Sequence, residues 1–167
     1  MGPNQSYVVS VDFAEYVAGR RPALVRSAVL MGCRPEDAED LVQVALLKCM
    51  RSWRRVSRAE RPDAYVYRVL VNAFRDGQGR RWQGETPTGE LPEILQIEVD
   101  LASGIVVRRA LAMLTKEHRE VLVLRFYADL SERETAEVLG VAAGTVKSRT
   151  ARALAALGAD QNIVRSS

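Results

Sequence analysis

The sequence predicts an all-α fold of two small helical domains joined by a flexible acidic linker. Three observations carry that prediction. Apolar residues recur at helical spacing along most of the 167-residue chain, with no strand-like alternation. Residues 83–104 break the pattern with Gly84, Pro87, Gly89, Pro92 and Gly104, the punctuation of a linker. Charge divides at the same place. Residues 1–82 hold 14 basic and 9 acidic side chains, residues 83–104 none and five, and residues 105–167 ten and seven. The segments therefore carry +5, −5 and +3, and the net +3 is a cancellation. Two basic segments flanking an acidic one fit two modules that share a polyanion, although charge also fluctuates along any chain.

The first helix is expected over residues 12–31. Phe13, Tyr16, Val17, Leu24, Ala28 and Met31 share a face, and Gly32 is a stop signal. Pro35 suits the first position of a second helix. Glu36, Asp37, Glu39 and Asp40 then meet the positive end of its dipole. Ala38, Leu41, Val42, Ala45, Cys49 and Trp53 form its apolar face. Asp37, Asp40 and Gln43 lie off that face, either as dipole partners alone or as a docking edge.

Residues 51–61 hold five arginines and one acid and read as a helix end running into a basic loop. Residues 63–75 return to helix. Val66, Val69, Leu70 and Ala73 face a core, and Arg68, Asn72 and Arg75 recur at i, i+4, i+7. Tyr65 and Tyr67 beside the arginines fit either stacking on unpaired bases or ordinary packing. Gly77 and Gly79 are expected to fray the end of this helix, leaving Arg80, Arg81 and Trp82 as a basic-aromatic tip. The 22-residue linker spans at most roughly 70 Å, about two turns of duplex.

Beyond the linker, residues 105–114 and 117–127 read as two amphipathic helices. Ser131 with Glu134 forms a capping box, each side chain satisfying a free backbone donor. Ala136, Gly140 and Val146 complete the requirements of a helix-turn-helix: close approach, a positive-φ turn, and a β-branched plug. Thr145, Lys147, Ser148, Arg149 and Arg152 then become candidates to face a major groove.

Other chemistries are not indicated. Cys33, Cys49 and the lone His118 provide no zinc-ligand spacing, and His118 sits among charged neighbours that suit a surface position. Phosphate-binding glycine loops are missing, so no cofactor or metal is expected. Neither a signal peptide nor an apolar run near the ~20 residues of a membrane span is present. A cytoplasmic protein without membrane insertion is expected.

The motifs PEDAEDLVQ (35–43), PDAYVYRVLVNAFRD (62–76) and LSERETAEVLGVAAGTVKSR (130–149), in this order and spacing, resemble the extracytoplasmic-function sigma factors of bacterial RNA polymerase. These are group IV of the sigma-70 family, and the likeness is to an actinobacterial branch. It implies region 2 over residues 1–82, an acidic linker over 83–104, region 4 over 105–160 and a tail over 161–167. It implies no enzymatic activity.

By the same resemblance, Asp37, Asp40, Leu41 and Gln43 would dock on the beta-prime clamp helices of core polymerase. Arg54, Arg55, Arg58, Tyr65, Tyr67, Arg68, Asn72 and Arg75 would capture and melt −10 DNA. Thr145, Lys147, Ser148, Arg149 and Arg152 would read the −35 duplex. Implied partners are core RNA polymerase, including the beta flap, promoter DNA, and the anti-sigma factor that often holds such proteins silent. Three departures stand out: Val44 where an acid is usual, Ala142 where Ser is common, and Gly77 and Gly79 in a stretch usually more regular. The alternative is a helix-turn-helix regulator without sigma activity. It would require a receiver or ligand domain upstream, which residues 1–82 do not resemble. A helical adaptor without a DNA role would leave the helix-turn-helix spacing unexplained.

Overall fold

The computed structural model describes the backbone of residues 4–81 and 101–165, and the side chains of residues 12–77 and 107–158. The order is α1 (Asn4–Leu30), α2 (Pro35–Arg51), α3 (Trp53–Ser57), α4 (Pro62–Arg81), α5 (Leu101–Ala112), α6 (Lys116–Leu122), a π-helical turn (Val123–Tyr127), α7 (Glu132–Leu139) and α8 (Ala143–Arg165).

In the N-terminal half, α1 and α4 both pack on α2, and α3 braces the bundle. The buried set includes Leu24, Val42, Val56, Val66 and Leu70, all 2% exposed or less. Burying each such side chain contributes about 1.5–3 kcal/mol. The first helix continues through Pro22, which costs one intrahelical hydrogen bond. Its outer turns are held by tertiary contacts instead. Phe13 and Tyr16 pack on the buried Trp53 ring at 5.2 and 5.0 Å. The Tyr16 hydroxyl donates to Asp63 at 2.7 Å, and Arg20 pairs with the same carboxylate at 2.9 Å.

The basic stretch after α2 contains a short helix, because Trp53 and Val56 reach the core and pull the chain back. Gly77 and Gly79 do not end α4, whose backbone runs on to Arg81. The side chains of Arg80 and Arg81, residue Trp82 and the linker to residue 100 lie outside the described residues.

In the C-terminal half, α6 and α7 pack on α8. The segment expected as one helix over residues 117–127 changes character at Val123. There Ala128 N–H reaches Val123 C=O at 2.9 Å, a bond one residue wider than in an α-helix. Val121, Leu122, Val123 and Leu124 are all buried, so this segment is covered from more than one side. Its own half covers it through α6 and α7, and α1 of the other half meets the π turn.

The helix-turn-helix has the expected local chemistry. Ser131 Oγ accepts from Glu134 N–H at 3.0 Å, and Glu134 Oε1 accepts from Ser131 N–H at 3.0 Å. Gly140 takes φ +69 and closes α7, and Val146 is fully buried between the helices. Ala142 accepts from the amides of Thr145 and Val146 but has no side-chain oxygen to cap the start of α8.

Apolar contact runs without a break from one half to the other. One core cluster contains Leu24, Val42, Leu70 and Phe74 together with Leu111, Leu124, Leu139 and Ala153. The main joint is α4 against α7.

Two substitutions test the local reading. Ala142→Ser should raise stability by about 1 kcal/mol through the missing cap. An unchanged melting temperature would refute that. Gly32 has φ +114, and a Cβ there would sit 2.7 Å from Arg119 Nη1. Gly32→Ala should therefore destabilise the protein by about 1–3 kcal/mol in urea unfolding.

Candidate nucleic-acid interface

The candidate site falls on three surfaces, each set by a different helix. On α2, Asp40 and Gln43 are exposed, while Asp37 and Leu41 are half-buried. Asp37, Asp40, Leu41 and Val44 line an open groove of about 670 Å³ whose other wall is Phe74 and Asp76 of α4. Val44, Leu47 and Met50 are exposed apolar side chains of the same helix. Val44 therefore places an apolar surface beside the acids, where a further acid was the usual pattern.

The second surface combines α3, the loop after it, and α4. Arg54, Arg55 and Arg58 are exposed because Trp53 and Val56 occupy the inward positions of that turn. Arg68 and Asn72 are exposed on α4, and Tyr65 is half-buried. Tyr67 does not join them. Its ring is 5% exposed, and its hydroxyl shares a 2.8 Å hydrogen bond with Ser27 on α1. Burial pushes that hydroxyl up to about 12, partly offset by the bond to Ser27. Of the two readings open for the tyrosine pair, packing holds for Tyr67, which is a core residue.

Arg75 shares the face of Arg68 and Asn72 but is occupied. It donates to Glu120 Oε2 at 3.1 Å and to the Leu139 carbonyl at 3.3 Å, both across the joint between halves. Arg61 at the foot of α4 donates to the Asp129 carbonyl at 3.2 Å and faces Glu134 Oε2 at 3.6 Å. Periodicity marks which residues share a helix face but cannot mark a partner 45 positions away. The unbroken apolar run from Val121 to Leu124 was the one sequence signal that this segment is covered on several sides.

The third surface is the outer face of α8. Lys147, Ser148 and Arg152 are exposed, and Thr145 and Arg149 are half-buried. The buried Val146 and Ala153 fix the helix from behind. Cations thus project from a rigid scaffold, as groove reading requires.

Nothing in these surfaces resembles a reaction centre. Both thiols are buried, and desolvation pushes Cys33 up to about 12 and Cys49 to about 11, so they remain protonated packing groups. Among the described residues there is no cluster of metal-ligating side chains and no helix long and apolar enough to cross a membrane.

Comparison with known proteins agrees with this arrangement. Residues 17–83 match the family model "Sigma-70 region 2", and residues 105–157 match "Sigma-70, region 4". The chain is 40% identical over 152 residues to the RNA polymerase sigma-E factor of Streptomyces coelicolor, spanning 88% of this chain and 84% of that one. It is 35% identical over 158 residues to the ECF RNA polymerase sigma factor SigM of Mycobacterium tuberculosis, spanning 86% and 80%. The sigma factor RpoE of Bartonella quintana, solved with the anti-sigma factor NepR, is structurally similar with a TM-score of 0.74 and 26% identity, covering 87% of this chain and 94% of that one. CnrH, solved with the cytosolic domain of CnrY, gives a TM-score of 0.64 at 28% identity, covering 90% and 88%. A region 2 upstream of the helix-turn-helix is what the alternative regulator would lack. The chain belongs to the extracytoplasmic-function sigma factors of the sigma-70 family, and its role is promoter selection for RNA polymerase, not catalysis.

Proposed function

We propose that the two halves read two elements of one promoter while α2 holds core polymerase. The observation that carries this reading is the separation of surfaces. An exposed cationic face lies on α8, an arginine-rich face on α3 and α4, and an acidic edge on α2. Asp40 and Gln43, with Asp37 and Leu41 beneath, form the edge for the basic beta-prime clamp helices. Region 4 would meet the beta flap. The names of the relatives as RNA polymerase sigma factors support both partners and a cytoplasmic site of action. The anti-sigma factors bound to the two similar structures support a silencing partner of the same kind.

On DNA, Lys147, Arg149 and Arg152 meet the −35 duplex, with Thr145 and Ser148 as shorter hydrogen-bonding groups. Arg54, Arg55 and Arg58 hold the −10 strand, and Arg68, Asn72 and Arg75 extend that surface along α4. Tyr65 offers a ring edge to an unpaired base. Unstacking costs a few kcal/mol per step, so capture of the exposed base offsets that cost and biases the duplex open.

The experiment is promoter-dependent initiation on a genomic fragment library with purified core polymerase and this protein alone. Specific starts are expected, and failure to form a stable complex with core would sink the reading. Arg149→Ala should weaken −35 duplex binding by about 1–3 kcal/mol while leaving core affinity unchanged. Asp40→Ala should do the reverse, and equal effects of the two changes on both assays would show that the surfaces are misassigned.

A further inference from the structure

Ten positions separate Trp53 from Asp63, and the segment between them carries Arg54, Arg55, Arg58 and Arg61. Both ends of that segment are held by α1. Trp53 is 4% exposed, and the rings of Phe13 and Tyr16 pack on it. At the other end the Asp63 carboxylate is used twice. Its Oδ1 accepts from the Tyr16 hydroxyl at 2.7 Å, and its Oδ2 pairs with Arg20 Nη2 at 2.9 Å. Tyr16 therefore touches both ends, with its ring on one and its hydroxyl on the other.

We propose that Tyr16, acting through Trp53 and Asp63, is a positioning residue for −10 strand capture: it fixes the two ends of the arginine segment and so presents Arg54, Arg55 and Arg58 in one arrangement. The inference deepens the −10 assignment of those arginines and rests on it.

The three guanidinium groups are exposed, so their placement comes from the backbone that carries them. That backbone is α3, only five residues long, and the turn after it. A helix of that length does not hold itself together in water. It depends on Trp53 and Val56 reaching the core, and on where the chain re-enters at Asp63. A segment fixed before the strand arrives spares binding the cost of ordering it.

Tyr16 suits this task chemically. Its ring supplies packing area on Trp53, and its hydroxyl gives one directed bond. Burial first, and then the carboxylate beside it, raises the hydroxyl's hold on its proton, so it stays a donor. The Asp63 side chain is 14% exposed, which shields that bond from water. Arg20 is 57% exposed and adds the weaker hold. Asp63 also lies in the first turn of α4, where the helix dipole favours an acid. A dipole role alone would need neither Tyr16 nor Arg20, yet both oxygens are taken by α1.

The test uses the full chain and a fluorescent mixed-sequence single strand of about 20 nucleotides, at about 50 mM salt, where phosphate contacts are strong. Binding is read well below the melting temperature of each variant, so that a loss of stability alone leaves the affinity unmoved. Arg54→Ala with Arg55→Ala sets the share of strand binding that the segment carries. Tyr16→Phe keeps the ring for Trp53 and removes only the bond to Asp63. It should bind the strand about 3–10-fold more weakly than wild type, because ordering is left to the moment of binding. Affinity for core polymerase, assigned to α2, should not move.

Asp63 gives an opposed sign. Asp63→Ala removes a negative charge beside the arginines, so electrostatics alone would tighten the strand. Positioning predicts weakening to the level of Tyr16→Phe, and the double variant should be no weaker than either single one. Asp63→Asn removes the same charge but keeps an oxygen acceptor for Tyr16, and it should bind about 3-fold or more tighter than Asp63→Ala.

Strand affinity of Tyr16→Phe equal to wild type, or of Asp63→Ala above wild type, would overturn the inference. Should Tyr16→Phe lose helical circular dichroism, the two Asp63 variants decide, and equal affinity of the Ala and Asn forms would overturn it. Wild-type affinity in Arg54→Ala with Arg55→Ala would remove the −10 assignment itself, and the inference with it.

Discussion

A carboxylate with 2% of its surface exposed needs a cation beside it, and Glu120 takes its cation from the opposite half of the chain. Much of the architecture follows from that requirement. Arg75 must approach from α4, so α7 lies along α4, and the Leu139 carbonyl falls within reach of the same guanidinium. With α7 held at that end by Arg75 and at the other by Arg61, the two helices run in the same direction. Arg119, next in sequence to Glu120, is drawn against the turn at Gly32 and bonds to four carbonyls. Burial there lowers its affinity for a proton, opposed by the neighbouring Glu120, and the half-buried guanidinium is ringed by carbonyls.

Two halves that both carry net positive charge would repel each other if they met at random. They meet where the C-terminal half turns two of its acids toward the N-terminal half. Glu120 and Glu134 face arginines, while Lys147 and Arg152 point away to solvent. The same arrangement explains how a chain of modest net charge presents concentrated cationic surfaces. Acids are used at the joint and on α2, and arginines and lysines are left on the faces assigned to DNA.

Helix α4 serves both purposes because its two sides have different chemistry. Val66, Leu70 and Phe74 complete the core of the N-terminal half. Arg68, Asn72 and Arg75 occupy the other side, where the apolar pattern leaves room for long polar side chains. Tyr67 lies between those sides, and Ser27 decides its fate by offering its hydroxyl a buried partner. Without Ser27 on α1 the ring would have to leave its hydroxyl unsatisfied or turn outward. A tyrosine flanked by arginines carries no local sign of which outcome holds.

What the sequence determined by itself was whatever depends on neighbours within about one helical turn. The capping box of Ser131 and Glu134, the left-handed Gly140, the start of α2 at Pro35, and the row Arg68, Asn72, Arg75 are all of this kind. The helical class and the three surfaces follow from such signals, and the order of the motifs pointed to the family. Tertiary structure decided the rest. It placed Tyr67 in the core, opened the helix after Leu122 into a π turn, carried α1 through Pro22, and paired Arg75 with Glu120. Each depends on a side chain brought from tens of residues away, and the burial and charge of that partner set the energy. Periodicity records which face of a helix is apolar, and it is silent about what arrives to cover it.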